Sequence, residues 1–152
     1  MSKYVEIEKR CLEIIHSETS VQDKMQLICE FLDSRLSYYN WTGFYLADVE
    51  NRLLHLGSYV GEPTDHTTIP FGKGICGQAA ETKQTYLVDD VSAESNYISC
   101  NIFVKSEIVV PILKEGIVVG QIDIDSNTAA AFKKEDQVLL ENICKALAPY
   151  MI

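Results

Sequence analysis

Two strand-forming runs and the turn between them decide the fold: EIVVPIL at residues 107–113, KEG at 114–116 and IVVGQIDID at 117–125. Aliphatic and β-branched residues dominate both runs, and the turn contains a glycine. This pattern predicts an antiparallel hairpin with strands from Glu107 to Leu113 and from Ile117 to Asp125.

Side chains alternate between the two faces of the second strand, so Gln121, Asp123 and Asp125 share the face opposite two isoleucines. Pairing through the turn brings Glu107 toward the end that carries the two aspartates. Converging acids suit a site that binds an ammonium group, or one that donates a proton from a carboxyl whose pKa its neighbours raise. The alternative is the ordinary solvent-facing side of an antiparallel strand.

The rest of the chain predicts helices and further strands around this hairpin. Apolar residues at helical spacing predict three amphipathic helices: Tyr4 to Ser17, the segment from Thr19 and Ser20 to Leu36, and Lys134 to Tyr150. The remaining predicted elements are strands at Trp41–Leu46, Leu53–Leu56, Thr68–Phe71 and Thr85–Val88, a short helix at Ile75–Lys83, and a long loop at Gly57–Gly74.

This order of elements predicts an α+β fold, in which a mostly antiparallel sheet is covered by helices. We expect a single domain over residues 1–152, with N-terminal helices in 1–38, the sheet and its pocket loops in 40–126, and a C-terminal helix in 133–152.

Charge and hydropathy exclude several classes of partner. The net charge of -9 disfavours binding to nucleic acid or to anionic membranes. No apolar run approaches the roughly 20 residues that span a bilayer. The first ten residues do not have the pattern of a secretory or transit peptide, so we expect a cytoplasmic location.

The five cysteines have no paired metal-binding spacing, which predicts reduced thiols. Cys11, Cys29 and Cys144 lie on the apolar faces of predicted helices, where a thiol acts as a small hydrophobic group. Cys76 lies between glycines at a predicted helix start, where the helix dipole lowers the pKa of a thiol. Cys100 lies in an irregular stretch, where a small molecule or the other thiol can reach it. The alternative to a reactive pair is that Cys100 and Cys76 are both incidental loop thiols.

The histidines and the aromatic residues of the first predicted strand are two further groups with side chains suited to a site. The three histidines do not pair at metal-ligand spacing, so the sequence assigns no metal. Trp41, Phe44 and Tyr45 line a pocket or form part of the core, and both are compatible with a strand start.

Four segments together resemble the free methionine-R-sulfoxide reductases, which are small GAF-domain enzymes: NWTGFYL (40–46), IPFGKGICG (69–77), SEIVVPI (106–112) and GQIDID (120–125). The resemblance runs from about Asn40 to Asp136. It implies a six-stranded antiparallel sheet flanked by helices, frequent dimerisation, no bound cofactor, and a pocket for one free amino acid.

The resemblance also implies a thiol mechanism for reducing free methionine-R-sulfoxide. Cys100 matches the nucleophile, which becomes a sulfenic acid, and Cys76 matches the resolving thiol, which forms a disulfide with it. Thioredoxin then reduces the disulfide. Glu107 matches an acidic pocket residue that polarises the sulfoxide oxygen or holds the substrate's ammonium group.

The substrate-binding residues implied by the resemblance are Asp123 and Asp125, which match its acidic pocket, and Trp41, which matches its aromatic wall. Tyr45 is added as one of the aromatic residues suited to line the pocket. The chain departs from the family at His66, where a further cysteine is usual. This departure leaves open a non-catalytic GAF domain that senses another small ligand. The apolar stripes of the predicted helices leave open a further alternative, an interaction scaffold that acts through its helical faces.

Overall fold

The computed structural model describes residues 2–95, 97 and 102–152. The helices of this part are α1 (Lys3–Ile15), α2 (Val21–Arg35), α3 (Gly74–Thr82) and α4 (Lys134–Leu147). The strands are β1 (Trp41–Asp48), β2 (Leu53–Val60), β3 (Thr68–Pro70), β4 (Tyr86–Val88), β5 (Ser106–Lys114) and β6 (Ile117–Ser126). One short 3₁₀ turn, Val91–Ala93, follows β4, and another, Ala148–Tyr150, follows α4. None of the described helices is long and apolar enough to cross a bilayer.

The strands form one antiparallel sheet in the order β3-β2-β1-β6-β5-β4. The predicted hairpin forms the adjacent strands β6 and β5, between β1 and β4. Its turn has positive φ at both Glu115 (53°) and Gly116 (80°). Two such residues give the turn a twist that matches the twist of the paired strands. The predicted α+β fold with a six-stranded antiparallel sheet is therefore confirmed.

Helices α1, α2 and α4 lie over one face of the sheet and enclose the larger core. The inward side chains of the hairpin, including Ile122 and Ile124, are fully buried there. Cys11, Cys29 and Cys144 are also buried in this layer, which confirms that they lie on apolar faces.

Helix α3 covers part of the opposite face, where it packs on β5 and β6. Its close approach to the loop before it depends on Gly77, since a Cβ at this position would lie 2.5 Å from the carbonyl oxygen of Pro70. Tyr45, Val109 and Cys76 belong to the second apolar cluster on this face. The two faces of the hairpin are therefore both covered.

Two predicted bounds are wrong by three residues or more, and the others differ by at most two. Strand β2 continues to Val60 instead of ending at Leu56, because its last residues pair with β1, as in Thr42 opposite Val60. The last helix ends at Leu147 and a 3₁₀ turn containing proline follows it.

Candidate functional site

Three acidic side chains from the hairpin lie on the sheet face that α3 covers. Glu107 pairs with Asp125 across β5 and β6, and Asp123 follows two residues away on the same face. The exposed fractions are 5% for Glu107 and 2% for each aspartate. The acidic face predicted from alternation is therefore real, and the solvent-facing alternative is wrong.

The Cys76 thiol lies against this acidic cluster. Helix α3 begins at Gly74 and places Cys76 Sγ 3.9 Å from Glu107 Oε2. From β6, Gln121 Nε2 donates a hydrogen bond of 3.1 Å to the Cys76 carbonyl oxygen, which fixes the start of the helix on the sheet. The fold thus brings together a thiol and carboxyls from three separate elements.

Burial controls the electrostatics of this cluster. It raises the pKa of Glu107, and the charges of Asp123 and Asp125 raise it further. Burial, and after it the Asp123 charge, likewise raises the pKa of Asp125. Burial raises the pKa of Asp123 too, although hydrogen bonds with Glu107 and Cys76 oppose the shift. Protonated carboxyls are therefore available as proton donors at pH values where an exposed carboxyl is ionised.

The predicted lowering of the Cys76 pKa is wrong. Burial, followed by the charges of Asp123 and Glu107, raises the pKa of this thiol well above its ordinary value. The thiol does lie in the first turn of α3, but these effects outweigh the helix dipole. Cys76 is therefore held as a neutral thiol.

The carboxyls also have unsatisfied bonding capacity. Oδ1 of Asp123 and Oδ1 of Asp125 are buried without a hydrogen-bond partner. Within the described ranges, no basic side chain forms an ion pair with either aspartate or with Glu107. Buried acceptors of this kind favour a donor or a cation that comes from a ligand.

Two cavities adjoin the cluster. One, of about 20 Å³, is lined by residues that include Tyr45, His66, Cys76, Glu107 and Asp123. It has room for one water or ion. The other, of about 270 Å³, is lined by Asn40, Trp41, Gly61, Glu62, Pro63, Val104, Asp125 and Asn127. This volume is close to the lower limit for small-molecule pockets.

Aromatic side chains from β1 border these cavities. Trp41 Nε1 donates to the Glu62 carbonyl oxygen at 3.0 Å, and the Trp41 ring stacks on Tyr59 with centroids 5.5 Å apart. Tyr45 lies at the smaller cavity, where its hydroxyl donates to the His66 carbonyl oxygen at 2.9 Å. Phe44, from the same strand, is instead fully buried in the core of the other face.

The structure thus brings six predicted site residues to one face of the sheet and its two cavities: Trp41, Tyr45, Cys76, Glu107, Asp123 and Asp125. The seventh, Cys100, lies outside the described residues. Sequence analysis did not assign roles to Asn40, Glu62 or Val104 as cavity-lining residues. The sequence does contain one signal for the larger cavity, the strand glycine Gly43. Its missing side chain makes room for the ring of Trp41, which lines that cavity.

Comparisons with known proteins agree with this geometry. A model of the GAF domain matches residues 18–150. GAF domain-containing protein A of Dictyostelium discoideum is 40% identical over 107 residues, which cover 70% of this chain and 66% of that protein. Free methionine-R-sulfoxide reductase of Escherichia coli is 31% identical over 144 residues, which cover 95% of this chain and 86% of that enzyme.

A solved structure gives the same result for the fold. The free methionine-R-sulfoxide reductase from Neisseria meningitidis, in complex with its substrate, superposes with a TM-score of 0.91 at 33% identity and covers 97% of this chain and 87% of that one. The resemblance drawn from the four sequence segments is confirmed. This chain belongs to the GAF-domain family, in the branch of the free methionine-R-sulfoxide reductases.

Proposed function

We propose that this protein reduces free methionine-R-sulfoxide to methionine by thiol chemistry, without a bound cofactor. The observation that carries the proposal is the contact of the Cys76 thiol with Glu107, at 3.9 Å, inside a buried cluster of three carboxyls. A second dithiol protein of the thioredoxin type restores the thiols after each turnover. By the same resemblance we expect the protein to form a homodimer.

The cluster supplies what is needed to hold a free amino acid. Asp125 borders the larger cavity, and its buried Oδ1 is without a partner, so it suits the ammonium group of a ligand. Asp123 contributes a second acceptor from the same strand. The rings of Trp41 and Tyr45 supply an apolar wall for the ligand side chain.

In the first chemical step, the Cys100 thiolate attacks the sulfoxide sulfur while protonated Glu107 donates a proton to the sulfoxide oxygen. The oxygen passes to the sulfur of Cys100, so a sulfenic acid forms as methionine leaves. The raised pKa of Glu107 keeps this proton available, which is the property a general acid needs near neutral pH.

In the second step, Glu107, left as a carboxylate by the first step, accepts the thiol proton of Cys76, whose sulfur lies 3.9 Å away. The sulfur of Cys76 attacks the sulfenic acid of Cys100, a disulfide forms, and the hydroxyl group leaves as water with that proton. Two thiols of the thioredoxin-type partner then reduce the disulfide and become oxidised themselves. Because burial and the neighbouring acids keep Cys76 protonated, it is a poor first nucleophile. This favours the second role for Cys76 and the first for Cys100.

The test is an assay of the reduced protein with each epimer of free methionine sulfoxide and a thioredoxin recycling system. We expect methionine to form from the R epimer, and Cys100→Ser to abolish it. Cys76→Ser should allow one turnover that leaves a trappable sulfenic acid. Cys144→Ser is the matched control, because its buried thiol packs in the core of the other face. Absence of methionine with both epimers would overturn the proposal.

His66 favours a second candidate function, a GAF domain that binds free methionine sulfoxide or another small amino acid without turnover. His66 lines the same small cavity as Cys76, at the position where the family usually has a further thiol. Calorimetry distinguishes the two functions. Tight binding of a small amino acid together with no methionine formation would favour the binding domain.

A further inference from the structure

The small cavity is lined by three residues that carry different kinds of metal-ligand atom. One ligand atom each from Cys76, Glu107 and Asp123 lies within 4.8 Å of the other two. The three residues come from α3, β5 and β6, so the rigid parts of the fold fix their spacing. All three are buried, which distinguishes them from the exposed acidic groups common on protein surfaces.

Independent observations indicate that a ligand belongs there. Asp123 lines the cavity and is 2% exposed, and its Oδ1 is without a hydrogen-bond partner. The volume of about 20 Å³ is that of one ion or one water. Lys73 also lines this cavity but is an exposed residue, and it makes no ion pair with these acids within the described part of the chain.

We propose that the reduced protein binds one zinc ion through Cys76 Sγ and a carboxylate oxygen each from Glu107 and Asp123. Zinc binds thiolate sulfur at about 2.3 Å and carboxylate oxygen at about 2.1 Å, so ligand atoms in a tetrahedron lie about 3.5 Å apart. The distance of 3.9 Å between Cys76 Sγ and Glu107 Oε2 needs only a small closure. Magnesium and calcium select oxygen ligands alone, so the thiol points to zinc and similar ions.

Zinc acts here as a competitor of the ligand and not as a cofactor. On binding, Cys76 loses its thiol proton to solvent and its sulfur is held in the metal bond, where it is unable to attack a sulfenic acid. Glu107 and Asp123 are occupied at the same time. The competition rests on the proposed function, but metal binding itself does not.

Cobalt(II) is the probe for the site, because a cobalt–thiolate bond gives a charge-transfer absorption in the near ultraviolet. We expect the reduced wild-type protein to develop this band at one cobalt per chain and to lose it when zinc is added. Cys76→Ser should abolish the band, whereas Cys144→Ser and Cys100→Ser should retain it. Thermal melts of each variant check that it is folded.

Asp123→Asn provides the second variant, in case Cys76→Ser does not fold. We expect it to weaken cobalt binding while the band, when saturated, keeps its thiolate character. A band that persists in folded Cys76→Ser, or that disappears in Cys100→Ser, would overturn the proposal, as would wild-type protein without any band. Because this measurement uses no sulfoxide, its result is independent of the reductase assay.

Competition is measured by zinc calorimetry on Cys100→Ser, which keeps the three metal ligands but does not turn the sulfoxide over, with and without methionine sulfoxide. We expect the apparent Kd of zinc to rise as the sulfoxide concentration is raised. An unchanged Kd at sulfoxide concentrations shown separately to saturate the protein would refute the overlap of the two sites.

Discussion

Replacing Glu107 by glutamine should make the protein more stable at neutral pH, although the residue is central to the site. The pKa of Glu107 in the folded protein is raised well above its ordinary value by burial and by the charges of Asp123 and Asp125. In the unfolded chain a glutamate ionises near pH 4. Between these two pKa values the folded protein binds a proton that the unfolded chain has released.

The sign of the pH dependence follows from this difference. Where the native state binds more protons, the free energy of unfolding falls as pH rises, by about 1.4 kcal/mol per pH unit for each proton. The contribution of Glu107 to the free energy of unfolding is thus fully present below pH 4, and it is lost as pH rises toward the pKa of Glu107 in the folded protein. Between pH 5 and pH 7 the loss reaches up to about 3 kcal/mol. Glutamine has nearly the same size and does not titrate, so Glu107→Gln avoids the loss.

The assay is urea unfolding followed by circular dichroism at intervals from pH 4 to pH 8, with a chelator present. We expect equal stability for the two proteins at pH 4, within about 1 kcal/mol, and a growing advantage for Glu107→Gln above it. Glu18→Gln, at an exposed position, is the matched control and should follow the wild-type curve. Taking the difference between curves removes the contributions of Asp48 and Asp90, whose pKa values are lowered by hydrogen bonds with nearby residues. Parallel curves for wild type and Glu107→Gln would refute the reasoning.

Two further substitutions test the cavities. A Cβ at Gly43 would lie 2.7 Å from Trp41 Cζ3, so Gly43→Ala should displace this ring. The displacement should shift the fluorescence of the single tryptophan and weaken amino-acid binding. Gly57→Ala, on the neighbouring strand, is the control and should change neither the fluorescence nor the binding, and unchanged fluorescence in Gly43→Ala would contradict the prediction. His66→Cys adds a thiol beside the cavity that Cys76 lines. In the Cys76→Ser background, it should lower labelling by a sulfenic-acid reagent after one equivalent of sulfoxide below the level of Cys76→Ser alone; equal labelling would show that the added thiol does not resolve the intermediate.

The hairpin could be predicted from sequence because each local signal agrees with the others. Alternating aliphatic residues, a turn with glycine, and strand-forming side chains all indicate the same structure. Strand β2 was predicted too short because Gly57 and Ser58 are weak strand formers. Pairing with β1, which no local pattern reveals, extends it to Val60.

The candidate site was only partly predictable, for a physical reason. Alternation places Asp123 and Asp125 on one face, but whether water or protein covers that face depends on where α3 packs. The same packing decides the protonation of Cys76. Its place in the first turn of a helix favours a thiolate, whereas burial beside Glu107 and Asp123 favours the thiol, and the second effect is larger.

The acidic cluster is unfavourable for the empty protein and favourable for a liganded one. Three buried carboxyls without a basic partner in the described part of the chain reduce stability as they ionise, so the fold would be more stable with amides in their place. An ammonium group or a zinc ion supplies the missing positive charge, and its binding raises the free energy of unfolding by an amount that grows with the ligand concentration relative to Kd. Ligand binding should therefore stabilise the protein most at the pH values where the empty site is least stable. A cluster with a purely structural role would not show this coupling between ligand binding and pH, because no ligand would supply the balancing positive charge.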